Sequence, residues 1–172
     1  MSPEGDPARP SPRPVEVAQV DLDALPLGSR TRVRWPIAPG MLGDPVAVPV
    51  EVLVGRARRP RVALVAGVHG NEMEGILALH ELGRALEPTE LAGTLVVVPV
   101  ANPAALAAVQ RRVPVDAADL NRVFPGRADG SFSERLAATV FGLVRGTDFL
   151  YSLHSWGAEG EVVPYLEFPE GD

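Results

Sequence analysis

Cysteine is absent from this 172-residue chain. Disulfides, a cysteine nucleophile and thiolate metal sites are therefore excluded, and any bound metal has to be held by His, Asp or Glu. Lysine is absent too, so all 16 basic side chains are arginines. This removes Schiff-base chemistry and a phosphate-loop lysine, and leaves rigid guanidinium forks suited to carboxylates. The wider Arg, Ala, Pro and Val bias reads as the composition of a GC-rich genome, so an arginine is singled out only where a motif does so. No basic block extends beyond Arg56–Arg61 and the formal net charge is -6, which argues against a nucleic-acid partner. No apolar run is long enough to cross a bilayer. The opening MSPEGDPARPSPRPVE has no apolar segment behind its charges, giving the expectation of a cytoplasmic protein without a membrane partner. What remains is 46% hydrophobic residues at a mean hydropathy of +0.09, the make-up of a globular domain with room for one core.

Three stretches are distinguished. Residues 1–14 are proline-rich and polar and are expected to form a disordered or extended arm. Residues 15–55 hold amino-terminal β elements: Val15–Val20 and Arg32–Trp35 alternate as short strands, and Asp44–Val54, with Pro45 and Pro49, reads as an edge strand followed by a more regular one. Residues 56–172 carry an α/β pattern and the chemistry.

That pattern is organised by Arg61–Leu82, RVALVAGVHGNEMEGILALHEL. An apolar run at Val62–Val65 predicts a buried strand, the turn through Gly67–Gly70 leads away from it, and Ile76, Leu77, Leu79, Leu82 and Leu86 give the stripe of a helix. Residues in such a turn lie at the carboxyl end of a strand, where open α/β sheets carry ligands. His69 and Glu72 are three apart where the helix begins, so one turn aims imidazole and carboxylate at one point, a pair zinc accepts. Gly70 suits a sharp turn that brings backbone close to a ligand. His80 is about 16 Å further along the helix and too far for the same metal.

Thr94–Val100 predicts a second buried strand, joined to the first by a right-handed parallel crossover. Asn102-Pro103 ends it, with Asn102 either a plain turn-former or a group near the metal. Gln110–Gly126 is a long polar loop carrying Arg111, Arg112, Asp116, Asp119, Asn121 and Arg122, groups that either fix an anionic substrate or pair with one another at the surface. Ser131 or Ser133 caps the next helix, since Ser131-Phe132-Ser133-Glu134 has capping-box spacing. Asp148–Leu153 predicts a third strand delivering His154 to the edge that carries His69. Two imidazoles and one carboxylate are the three protein ligands of a tetrahedral zinc site with one position left for water.

The pieces GVHGNEMEG (67–75), Asn102-Pro103, DLNRVFPG (119–126) and LHS (153–155), in this order, resemble the succinylglutamate desuccinylase/aspartoacylase family, a branch of the zinc carboxypeptidase fold. The resemblance implies a three-layer α/β domain with a largely parallel or mixed sheet, incomplete at its carboxyl end, plus the small amino-terminal β layer. It implies one Zn2+ per chain on His69, Glu72 and His154, Arg111 polarising the substrate carbonyl, and Asn121 with Arg122 binding a substrate carboxylate. The implied activity is zinc-dependent hydrolysis of the amide bond in a small N-acyl amino acid or similar carboxylate-bearing amide. Two positions depart from the family pattern. Ser152 stands two before the third ligand where the family usually has an acidic residue, which implies metal affinity lower by about tenfold or more. The family's glutamate base lies well downstream of that ligand, so the chain is expected to be truncated and to lack its general base. The alternative is a zinc-binding or scaffolding module of the same fold that performs no chemistry.

Overall fold

The computed structural model describes residues 15–16, 21–39, 45–157, 160 and 163–168. The expected arm at 1–14 and the Val17–Val20 part of the first expected strand lie outside the described residues. Among the described residues six strands form one sheet: β1 (Val15–Glu16), β2 (Ser29–Pro39), β3 (Pro45–Val54), β4 (Arg61–Val65), β5 (Thr94–Val98) and β6 (Phe149–Ser152). Their order across the sheet is β1-β2-β3-β5-β4-β6. The strands β5, β4 and β6 run parallel, whereas β3 is antiparallel to both β2 and β5. The sheet is therefore mixed, with a parallel half that carries the chemistry. The amino-terminal β elements continue this same sheet.

Two details differ from the sequence reading. The strand expected at Arg32–Trp35 runs over Ser29–Pro39, and the stretch expected to divide near its prolines is one strand, Pro45–Val54. The pairing explains how Pro49 is tolerated. β5 pairs with β3 only over Glu51–Val54, so Pro49 lies where β3 has no β5 ladder to interrupt.

Helices cover both faces. Alternation along β3 sends Val48, Val50, Val52 and Val54 to one face, where they pack with Leu136, Ala137, Val140 and Val144 of α3 (Phe132–Val144). Leu53 and Val97 point to the other, against Leu79 and Ile76 of α1 (Met73–Ala85). Period two on the strands and period 3.6 on the helices thus meet in two apolar layers. Arg30 of β2 donates to the carbonyls of Gly83 and Leu86, closing the carboxyl end of α1 with a cation where carbonyls lack helical partners. At the start of α3, Ser131 is the N-cap and forms a full capping box with Glu134. Ser133 instead is buried and gives its N–H and hydroxyl to Asp116. No helix among the described residues is long and apolar enough to cross a membrane.

Candidate metal centre

Because β4 and β6 are adjacent and parallel, their chain continuations leave the sheet at the same edge. After β4 the backbone turns at Gly67, whose φ of +63° favours glycine. It runs through Val68 and His69 to Glu72, the residue before α1. Gly70 serves packing and not the approach of a ligand: a Cβ there would stand 2.0 Å from the carbonyl carbon of Ala105. That residue belongs to the short helix α2 (Pro103–Ala107). Asn102 is wholly buried and fully employed. Its Oδ1 accepts from Ala105 N at 3.1 Å as the N-cap of α2, and its Nδ2 donates to the Val68 carbonyl at 3.2 Å. It is thus a structural tie beside His69.

After β6, Leu153 donates to the Val65 carbonyl at 2.8 Å and packs against Gly75 of α1. His154 follows directly. The Glu72 carboxylate sits between the two histidines: His69 Nδ1 is 2.7 Å from Oε1, and His154 Nδ1 is 2.9 Å from Oε2. One ligand atom from each residue lies within 4.8 Å of the others, and the ring centroids are 5.2 Å apart. His69 and Glu72 are 2% and 5% exposed, so water does not compete for them.

Glu72 receives four donors. Besides the imidazoles, the Ser155 N–H reaches Oε2 at 3.1 Å and Arg111 Nη1 reaches Oε1 at 3.3 Å. Burial alone would raise its pKa, but the hydrogen bonds from His154, His69 and Ser155 outweigh that cost and hold the carboxyl at about 2. For His69 burial likewise disfavours the charge, while hydrogen bonds to Glu72 and Asp119 prevail and raise its pKa.

Outer contacts differ between the rings. His69 Nε2 is 3.0 Å from Asp119 Oδ1, whereas His154 Nε2 is 3.1 Å from the Ser152 hydroxyl. Asp119 also accepts from Arg111 Nη2 at 3.2 Å. Of the two neighbouring arginines, Arg111 therefore faces the triad and Arg112 turns to the Ala117 carbonyl. Asn121 and Arg122 occupy a 3₁₀ turn, Leu120–Arg122, immediately after Asp119. Both are exposed, Arg122 contacts the Asn121 carbonyl, and among the described residues neither side chain touches the triad. His80 is exposed on α1. The tie between Asp119 and His69 was not read from the sequence. Its one signal is the place of Asp119 in a loop rich in polar groups, and nothing local names its partner.

Two imidazole nitrogens and one carboxylate around a common point fit a divalent metal of borderline softness, and zinc in particular takes this donor set with a fourth position open. The mixed sheet between helices, with this cluster at its parallel edge, defines a carboxypeptidase-like α/β domain.

Residues 58–172 match the family model described as Succinylglutamate desuccinylase/Aspartoacylase catalytic domain, and the chain belongs to that family. It is 39% identical over 121 residues to N-alpha-acetyl-L-2,4-diaminobutyric acid deacetylase of Halomonas elongata, a match covering 70% of this chain and 35% of that protein. Among solved structures it resembles a succinylglutamate desuccinylase/aspartoacylase from Rhodobacter sphaeroides, with TM-score 0.72, 31% identity, and coverage of 81% of this chain and 43% of that one. The product-bound ectoine utilization protein EutE (DoeB) from Ruegeria pomeroyi matches with TM-score 0.66 and 31% identity over 77% of this chain and 42% of that one. The chain thus spans about a third to under half the length of these relatives.

Proposed function

We propose that this chain carries the zinc centre of a cytoplasmic deacylase that hydrolyses the amide bond of a small, carboxylate-bearing N-acyl amino acid. The observation that carries the reading is the convergence of His69 Nδ1 and His154 Nδ1 on opposite oxygens of one buried carboxylate, Glu72. These three residues would hold one Zn2+. When bound, zinc acidifies a coordinated water and polarises an amide carbonyl. The chain's own groups would stabilise charge and hold the substrate. Arg111, beside Glu72 and half exposed, supplies positive charge where the amide oxygen becomes negative. Asn121 and Arg122, at the exposed turn after Asp119, bind the substrate carboxylate, for which a guanidinium offers two parallel hydrogen bonds. The name of the Halomonas elongata relative describes an N-acetylated amino acid, which supports this substrate class.

The described acidic side chains near the triad are already committed. Asp119 is turned to His69 and Arg111, and Glu74 accepts from the Ser155 hydroxyl. Glu167 is exposed, and Glu159, Glu161 and Glu170 lie outside the described residues. The reading therefore assigns no water-activating base among the described residues, and binding is its most direct test. Calorimetry with the zinc-loaded chain and N-acetyl amino acids is expected to show binding that weakens at least about tenfold in Arg122→Ala, the loss of one charge-assisted pair. Equal binding of a des-carboxy amide, or none of any N-acyl amino acid, would refute the substrate assignment.

A further inference from the structure

We propose that Ser152 is the positioning residue for His154, and that its hydroxyl sets how firmly the centre holds its metal. The inference rests on the zinc reading above and concerns a residue outside the triad. Its basis is the asymmetry between the imidazoles. His69 is 2% exposed and is held at both nitrogens by carboxylates, Glu72 and Asp119. His154 is 32% exposed, follows a strand at the edge of the sheet, and has a neutral hydroxyl at its outer nitrogen, 3.1 Å away.

The backbone favours this contact. Ser152 is held in register opposite Val65 of β4, and extended chain places side chains two apart on the same face. The ladder thus holds the Ser152 Cβ on the side of the ring, while the Ser155 N–H to Glu72 and the Ser155 hydroxyl to Glu74 pin the far side of the same segment. Among the described residues the Ser152 hydroxyl is the one side-chain hydrogen-bond partner at the outer nitrogen of His154.

A hydroxyl also does something a carboxylate does not. It both donates and accepts. With the ring proton on Nδ1, donating to Glu72, the Ser152 O–H donates to Nε2. With the Nδ1 lone pair directed at an ion, Nε2 carries the proton and donates to the Ser152 oxygen. Either tautomer is satisfied without a rotation of the ring. An acidic residue here would satisfy only the second, and would add a negative charge to Glu72 and Asp119, which have Arg111 as their shared cationic neighbour. Ser152 therefore orients His154 without locking it.

Zinc affinity of the 172-residue chain, measured by competition with a chromophoric chelator, tests the assignment, with nitrogen-15 NMR of the His154 ring as a second readout. Ser152→Ala is expected to weaken zinc binding by about 10- to 100-fold, as loss of an outer-shell partner does. Ser152→Thr, which keeps the hydroxyl, is expected to bind as the unaltered chain does, and Ser152→Asp more tightly. The Nε2–H signal of the zinc-loaded ring should persist with Ser or Thr and exchange rapidly with Ala. Unchanged affinity in the Ala variant, or equal losses in Ala and Thr, would overturn the role of Ser152 and leave the metal centre standing. A parent chain that takes up no zinc would overturn both.

Discussion

Replacing Glu72 by Gln separates the structural work of this carboxylate from any role with metal, and its cost can be worked out from the contacts. Four donors converge on the two oxygens: His69 and Arg111 on one, His154 and Ser155 N–H on the other. Glutamine offers one oxygen and one NH2, so whichever way the amide turns, its NH2 faces a donor that cannot accept, Arg111 on one side or the Ser155 N–H on the other. Glu72 itself is 5% exposed, so little water reaches its side chain to make up the loss. Leaving buried donors unpaired costs about 1–3 kcal/mol each. A second route gives a similar size. The carboxyl is held at about 2 against an ordinary 4.5, and at about 1.4 kcal/mol per pH unit the folded state favours the charged form by about 3 kcal/mol. The pH window follows from the signs. Glu72, with its pKa lowered on folding, contributes fully above pH 4.5 and loses its contribution as pH falls toward 2. His69, with its pKa raised, contributes fully below 6.5 and loses its contribution as pH rises through the folded value. Urea unfolding in the presence of a chelator, at a pH between 4.5 and 6.5, should place Glu72→Gln about 3 kcal/mol below the parent chain. With urea slopes of about 2 kcal/mol/M, that is a midpoint lower by about 1.5 M. The gap should narrow at pH 3. A difference under about 1 kcal/mol between pH 4.5 and 6.5, or a gap that does not shrink in acid, would refute the picture of one carboxylate tying the two rings together.

Other perturbations probe the supports of the site. Gly70→Ala would drive a methyl group to 2.0 Å from the Ala105 carbonyl carbon, a backbone clash expected to cost about 3 kcal/mol or more; thermal melting followed by circular dichroism should show it, and a melting point within a few degrees of the parent would contradict the packing. Asp116→Ala removes the acceptor of the Ser133 N–H and hydroxyl at the start of α3, and Ser131→Ala removes the N-cap. Each should lower stability by about 1 kcal/mol in urea titrations, the usual cost of a lost cap, with the zinc content of the folded protein unchanged.

Much of the central architecture is legible in the residues themselves. Val62–Val65 and Leu95–Val98 are apolar on successive positions because both faces of their strands are covered, and Ile76 and Leu79 repeat with helical period because one side of α1 lies on the sheet. Once two strands are known to run parallel and adjacent, their ends share an edge, which is why His69 and His154 could be brought together on paper. What the chain does not announce locally are contacts made by loops. Asp119 meets His69 across a sequence gap of 50 residues, and Arg111 and Arg112 are indistinguishable until the loop folds and turns one to the carboxylates and the other to Ala117. Gly70 announced a tight place without saying whether a ligand or a helix fills it. Proline at 49 signalled an edge, and the edge proved to be the half of β3 beyond the reach of β5.

The most direct test of the account is X-ray absorption at the zinc edge on the zinc-loaded chain, read beside its metal content. The expected result is one zinc per chain with nitrogen and oxygen neighbours at about 2.0–2.1 Å and outer-shell scattering from two imidazoles, reduced to one imidazole in either His69→Ala or His154→Ala. Zinc bound with fewer than two imidazoles in the parent chain, or a spectrum that both variants leave unchanged, would contradict the claim that His69, Glu72 and His154 form a single centre.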